Sequence, residues 1–337
     1  MIRVNKSVLF STSLLNPIFV FVLSIFSCLL VLFIERNLGI SWDFHPDAVF
    51  YINNAEAVTN SIGKFTSVIN NGFYYVVNFF NSDIKTIIYL NILIYSITNL
   101  VLAIFYLNNC QSYSKSFHSL LFLLVLFNPY RLHLADHVLK DSIVIALLVF
   151  FAVSQHRPLK LTHFILLFFF RIGSFIYLIA FIRFKEILKT NLPTLIFFTL
   201  FILGMVIYSW DRVLEITFDT TASPDMSFRE FDLVPNFYEL HLLGSILRAL
   251  LWPFLYMTGT FIFISPSIMY FPIALGAFIL QLWCITHFKK LGIYLSIYIS
   301  MGIFAFIVTG FTSFIRYSMP LFTIIPIIMI QRESNNS

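Results

Sequence analysis

The chain has 337 residues, of which 59% are hydrophobic and 11% charged, with a mean hydropathy of +0.88 and a net charge of +5. An average soluble domain carries about 25% charged and 45–50% apolar residues. The composition therefore excludes a water-soluble enzyme, a nucleic-acid-binding module and a disordered chain, and predicts an all-α polytopic integral membrane protein.

The first element is an uncharged stretch running from Lys6 to Glu35, longer than the ~20 residues needed to cross a bilayer. Arg3 and Lys6 resemble the front of a signal peptide, but the stretch is too long for one and no small-x-small cleavage site follows. It predicts an uncleaved first helix with the N-terminus in the cytoplasm. Further uncharged runs cover 86–114, 116–130, 142–155, 191–210, 249–288, 291–315 and 317–331. Segment 161–182 has basic residues on both sides, which predicts a hairpin of two short helices with Arg171 near its tip. Run 249–288 predicts one full helix over about 268–286, preceded by a re-entrant or interfacial piece containing Trp252 and Pro253. Irregular backbone at that depth requires a protein or water-lined surround. About ten crossings result (8–12), both termini inside. Without internal repeats or Gly/Ser linkers, residues 1–337 read as a single transmembrane domain with outer loops at about 35–85 and 210–248.

Charge sorting supports this topology. Arg3, Lys6, Lys115, Arg157, Lys160, Arg183, Lys185, Lys189, Lys289, Lys290 and Arg332 fall in short segments on the cytoplasmic side, opposed there only by Glu186 and Glu333. Basic residues concentrate on that side of membrane proteins, so the net positive charge is a topology signal and no nucleic-acid footprint. Cys28, Cys110 and Cys284 lie in or beside apolar runs and form no disulfide framework.

The remaining ionisable residues gather at the outer helix ends, and charges at membrane depth are functional by default. Ser41-Trp42-Asp43-Phe44-His45-Pro46-Asp47 carries two carboxylates and an imidazole. A helix starting at Pro46 would put Asp47 near its N-terminus, where the dipole favours an anion. Asp43, Asp47 and His45 are candidate general bases toward an acceptor hydroxyl. Asn128–Asp141 carries Arg131, His133, Asp136, His137, Lys140 and Asp141. Arg131 and Lys140 suit a phosphate or diphosphate, while Asp136 and Lys140 at four-residue spacing suit a helix-face ion pair instead. His133 and His137 are also four apart, a metal-binding spacing, but no third ligand is evident, so no metal or other cofactor is assigned. Arg171, Arg316 with Tyr317, and Arg248 with His241 complete the set. There is no phosphate-cradling Gly-rich loop, His-Glu-x-x-His, Gly-x-Ser-x-Gly or Cys-x-x-Cys motif.

Four features carry a family resemblance: the acidic motif Asp43–Asp47 outside the first helix, the short hairpin ending in Lys140-Asp141, the Arg171 tip, and the late Arg316-Tyr317…Pro320. Together they resemble bacterial O-antigen and capsular polysaccharide polymerases of the Wzy/EpsG type, beside the GT-C class of glycosyltransferases that use lipid-linked sugars. The resemblance implies a GT-C-like inner-membrane enzyme working on the periplasmic face. It would transfer a glycan chain from undecaprenyl diphosphate to a lipid-linked repeat unit, with membrane lipid and a chain-length regulator protein as partners. Arg131, Lys140, Asp141, Arg171, Arg248, Arg316 and Tyr317 would hold the diphosphate and glycan. Asp43, Asp47 or His45 would take the acceptor proton, and Trp42, Tyr51 and Tyr317 would stack on sugars. Two alternatives stand beside it. One is a GT-C enzyme that adds single sugars from undecaprenyl phosphate to a surface glycan. The other is a transporter of lipid-linked oligosaccharide.

Overall fold

The computed structural model describes residues 15–60, 71–109, 116–181, 234, 237, 240–264, 270–287, 292–308 and 310–334. The expected cytoplasmic residues Arg3, Lys6, Lys115 and 183–190, and most of loop 210–248, lie outside these. Among the described residues the protein is all-helical. Three helices among the described residues are long and apolar enough to cross a membrane: Pro17–Asn37, Ile84–Asn109 and the stretch Phe311–Gln331. Shorter apolar helices accompany them. The chain divides into two compact units, Met1–Phe175 with Leu275–Lys289 and Phe322–Ser337, and Ile176–Ala274 with Lys290–Leu321.

In the first unit, α1 (Pro17–Asn37) and α6 (Pro129–Ala135) begin alike. Each has an Asn-Pro pair: Asn16 Oδ1 accepts from the amides of Ile18 and Phe19, and Asn128 Oδ1 from those of Tyr130 and Arg131. The side chain satisfies amides that lack an intrahelical partner, and proline sits where its missing N–H costs nothing. α2 (Pro46–Asn60) also starts on proline, with Asp47 in its first turn. α3 (Gly72–Phe79) packs on α2. α4 (Ile84–Asn109) lies between α1 and α7 (Asp141–Val153), and α5 (Ser116–Leu126) precedes α6. α8 (Arg157–Phe170) returns antiparallel along α7. The faces of α1 behave differently. Val20, Ser24, Cys28 and Glu35 are buried, whereas Phe19, Val22, Phe26, Leu30 and Phe33 are exposed. An apolar stripe this wide belongs against lipid.

α8 ends where expected, at Arg171, whose extended backbone breaks the helix before a 3₁₀ turn (Ile172–Ser174) and the short α9 (Phe175–Ile179). The remainder of the expected hairpin falls largely outside the described residues. In the second unit, Trp252 and Pro253 do not form irregular backbone. They lie inside α10 (His241–Thr258), which ends on Gly259 at φ 72°. Proline lacks the N–H that would bond the carbonyl four residues back. That carbonyl, Ala249 O, instead has Gly302 of α12 (Gly292–Ile307) packed against it, and the Tyr298 hydroxyl donates to Leu250 O. α11 (Phe271–His287) follows α10, and α13 (Phe311–Ser334) contributes to both units.

The polar residues inside the first unit tie its helices together. Asn99 Nδ2 donates to Ser24 Oγ at 3.0 Å, and Asn99 Oδ1 accepts from Arg131 Nη2 at 3.0 Å. α1, α4 and α6 thus meet at one amide. Asn99→Leu should lower stability by about 2–3 kcal/mol, because it takes an acceptor from a buried guanidinium. Asn99→Asp, which keeps that acceptor, should lose less. Thermal unfolding of the detergent-solubilised protein reads both, and an unchanged midpoint in Asn99→Leu would contradict this role.

Candidate functional site

The last turn of α1 builds one wall of the site. Gly39, at φ 79°, closes the helix with Ile40 N–H on Glu35 O (2.9 Å) and Gly39 N–H on Arg36 O (3.2 Å). Paired bonds of this kind around a left-handed glycine fold the chain back over the helix end. Trp42, Phe44 and His45 are thereby returned to the side chains of that turn. Glu35 is buried there and receives two imidazoles. His133 Nδ1 lies 2.7 Å from one carboxylate oxygen and His137 Nε2 3.1 Å from the other.

His133 sits in α6 and His137 in the link to α7. That link is held by Asn91 of α4, whose amide donates to His137 O (2.8 Å) and Leu139 O (2.9 Å). The third imidazole arrives from 88 residues away: His45 Nε2 is 2.9 Å from His133 Nε2. His45 and His137 are 4% and 0% exposed, and one ring nitrogen of each of the three lies within 4.8 Å of the others. Phe44 covers the group, its ring edge-on to His45 and His133, and Tyr130 stacks on His133. Burial holds the His137 imidazolium well below its ordinary range, against the opposing pull of Glu35. Three imidazoles thus converge in one buried place, with Glu35 behind two of them.

A second cluster adjoins it along the chain. Lys140 precedes α7 and is buried with its ammonium 5.8 Å from the Tyr51 ring of α2. Tyr51 packs edge-on against Phe73 and Tyr74 of α3. Burial and the nearby Asp47 carboxylate push the Tyr74 phenol up to about 12, which puts Asp47 beside these rings. Asp141, in the first turn of α7, accepts from Arg171 Nη2 at 2.6 Å, both residues buried. Gly72 of α3 lies so close to Phe169 that a Cβ would collide with its ring and carbonyl, which brings α3 to the Arg171 end of α8.

An open cleft of about 570 Å³ lies between the C-terminal end of α1 and the start of α4. Leu32, Ile84 and Ile88 form its apolar part, Trp42 and Tyr89 its aromatic part, and Arg36, Asp83 and Lys85 its charges. Trp42 joins the cleft to the imidazoles, its carbonyl being 3.5 Å from His137 Nδ1.

The structure thus brings five of the expected site residues, His45, Asp47, Lys140, Asp141 and Arg171, into these two clusters. Asp43 is exposed, with no side-chain partner among the described residues. Arg131 stands apart from both clusters. Its guanidinium is buried, bonded to Asn99 Oδ1 and Leu126 O and lying over the Tyr95 ring. There it ties helices together. The expected Asp136–Lys140 ion pair is absent, because α6 ends at Ala135 and the two residues share no helix. Arg248, Arg316 and Tyr317 belong to the second unit. There Arg248 is buried on Ser245 Oγ and Ala305 O, and the Tyr317 carbonyl accepts from the Tyr177 hydroxyl. His241 begins α10. Sequence reasoning missed Glu35, Arg36 and Asn91. Glu35 is the only acidic residue before Asp43, and that isolation at a helix end was its one legible signal.

The chain matches no protein-family model, no curated protein and no solved structure.

Two outcomes follow from this geometry. Removing one member of a buried ion pair strands the other, at about 3–5 kcal/mol. Arg171→Met and Asp141→Leu should each destabilise by that order, and the double variant should be more stable than either, as a double-mutant cycle of unfolding in detergent would read. The second concerns Asp136, fully buried with neither carboxyl oxygen hydrogen-bonded among the described residues. Burial first, and Glu35 second, push its carboxyl up to about 9. Between the ordinary value near 4 and that point, the folded protein holds a proton the unfolded chain has released. Stability therefore falls as pH rises across this window, by up to ~1.4 kcal/mol per pH unit. In chelator-containing buffer, Asp136→Asn should flatten the fall in unfolding midpoint between pH 5 and pH 8, whereas equal slopes would contradict the assignment.

Proposed function

We propose that this protein is a membrane-embedded glycosyltransferase that lengthens a lipid-linked glycan, a polysaccharide polymerase of the O-antigen or capsule kind. In this reading it has about ten crossings in a GT-C-like arrangement. It sits in the bacterial inner membrane with its site on the periplasmic side, and its substrate is an oligosaccharide carried on undecaprenyl diphosphate.

The observation that carries the reading is the lining of the cleft between α1 and α4. Leu32, Ile84 and Ile88 present an apolar wall on two of the helices long enough to span, with Arg36, Lys85, Trp42 and Tyr89 in the same lining. A polyprenyl phosphosugar has the same three kinds of part. Its chain suits aliphatic side chains, its phosphates suit cations, and its sugar suits aromatic faces. Lys140, Asp47 and the Arg171–Asp141 pair lie in the same unit, which keeps further charge available for a leaving diphosphate. Asp47, in the first turn of α2, is the acceptor base in this scheme.

The decisive experiment places the purified protein in liposomes with undecaprenyl-diphosphate-linked repeat units. Formation of polymer without any other protein supports the proposal. Movement of the repeat unit across the bilayer without polymer would favour a transporter. Lys85→Glu, which reverses a charge at the cleft rim, should cut polymer yield at least tenfold at normal protein level, and Asp47→Asn should abolish long chains while leaving the fold intact. Normal ladders from both variants would overturn the assignment.

A further inference from the structure

We propose that His45, His133 and His137 form the ligand set of a divalent transition-metal site, with Glu35 orienting two of the imidazoles from behind. The inference rests on the geometry of this cluster alone and stands whether or not the protein is a glycosyltransferase.

The first argument is distance. Three imidazole nitrogens bound tetrahedrally at 2.0–2.1 Å lie about 3.3 Å from one another. Here the closest pair is 2.9 Å apart and one nitrogen of each ring lies within 4.8 Å of the rest. Bringing the widest pair from 4.8 Å to that spacing takes about 1.5 Å, shared between two side chains.

The second is the direction of the protons. Nδ1 of His133 faces the Glu35 carboxylate at 2.7 Å and so carries a proton, which leaves its Nε2 as a lone pair pointing at His45 Nε2. At 2.9 Å the His45–His133 contact is then a hydrogen bond in which His45 Nε2–H donates, and a metal takes the place of that proton, which moves to His45 Nδ1. His137 has Nε2 3.1 Å from the other Glu35 oxygen and Nδ1 3.5 Å from the Trp42 carbonyl; with Nε2–H on the carboxylate, Nδ1 is the nitrogen left for a cation. A carboxylate behind a ligating imidazole fixes its tautomer and raises its basicity.

The third is charge. The group is buried, Glu35 pairs with two of its rings, and three imidazolium ions at these distances would repel one another strongly. A divalent ion bound to three neutral imidazoles leaves a net +1 with Glu35 included. Imidazole ligands select zinc, cobalt, nickel or copper over magnesium and calcium. Three protein ligands also leave a coordination position for water or a substrate oxygen, as in catalytic zinc sites. Trp42 puts that position one residue from the cleft.

The test uses the full-length protein purified in detergent, stripped with chelator and titrated with zinc chloride or cobalt chloride. One equivalent should bind, with the visible absorption of tetrahedral cobalt, and zinc should raise the unfolding midpoint. Glu35→Gln should weaken binding by about 10–100-fold. His133→Gln and His45→Gln should abolish stoichiometric binding, while His163→Gln, outside the cluster, should leave it unchanged. Should a cluster variant fail to fold, the wild-type protein still decides: zinc should protect His45, His133 and His137 from diethyl pyrocarbonate, read by mass spectrometry. No stoichiometric uptake by the wild type, or no protection of these three, overturns the proposal. Because no readout involves glycan chemistry, such a failure leaves the polymerase reading standing, and failed polymerisation leaves this one standing.

Discussion

A carboxylate at the C-terminal turn of an apolar helix is the constraint around which the first unit is arranged. Glu35 occupies the end of α1 that the helix dipole makes unfavourable for an anion, and it is buried, where an unpaired carboxylate would cost several kcal/mol. Two imidazole N–H groups offset this, one from α6 and one from the link that follows. Both must be delivered to the same few cubic ångströms. That requirement accounts for the shortness of α6, the break after Ala135, and the two bonds by which Asn91 grips the link. It also gives the left-handed turn at Gly39 its purpose, since only a chain folded back over the helix end brings His45 to the same place.

The rest of the interior obeys a related rule: a polar group that enters an apolar bundle must use a backbone carbonyl or another side chain. Asn99, Arg131 and Ser24 satisfy one another across three helices, and Tyr95 donates to Leu126 O. In the second unit Arg248 takes Ala305 O and Ser245 Oγ. Pro253 frees a carbonyl that glycine at position 302 can approach because it has no side chain. Charge in this protein is therefore of two kinds. Some residues, such as Arg131 and Arg248, are structural cross-links, and others, at the ends of α1, α7 and α8, converge on shared ground.

That division explains what the sequence revealed. Helix content, the span from Pro17, the start at Pro46 and the break at Arg171 were readable because hydropathy, proline position and the isolation of a charge are local signals. So was the gathering of ionisable residues at helix ends. The cross-linking contacts of Arg131 were not legible, because its Asn-Pro-Tyr-Arg context looks the same whether the guanidinium faces outward or turns under Asn99. Only the partner 32 residues upstream decides. The third histidine was invisible for the same reason: His133 and His137 form a local pair, but His45 reaches them through a turn built on Gly39. Asp136 and Lys140 had helical spacing without a helix between them.

The two clusters are tied by three residues of chain, since His137 and Lys140 lie on opposite sides of the carbonyls that Asn91 holds. A shift of the link would move both at once. Trp42 gives a second connection, with its ring side in the cleft and its carbonyl beside His137. Trp42 is thus the one residue that both lines the cleft and, among the described contacts, meets an imidazole through its carbonyl.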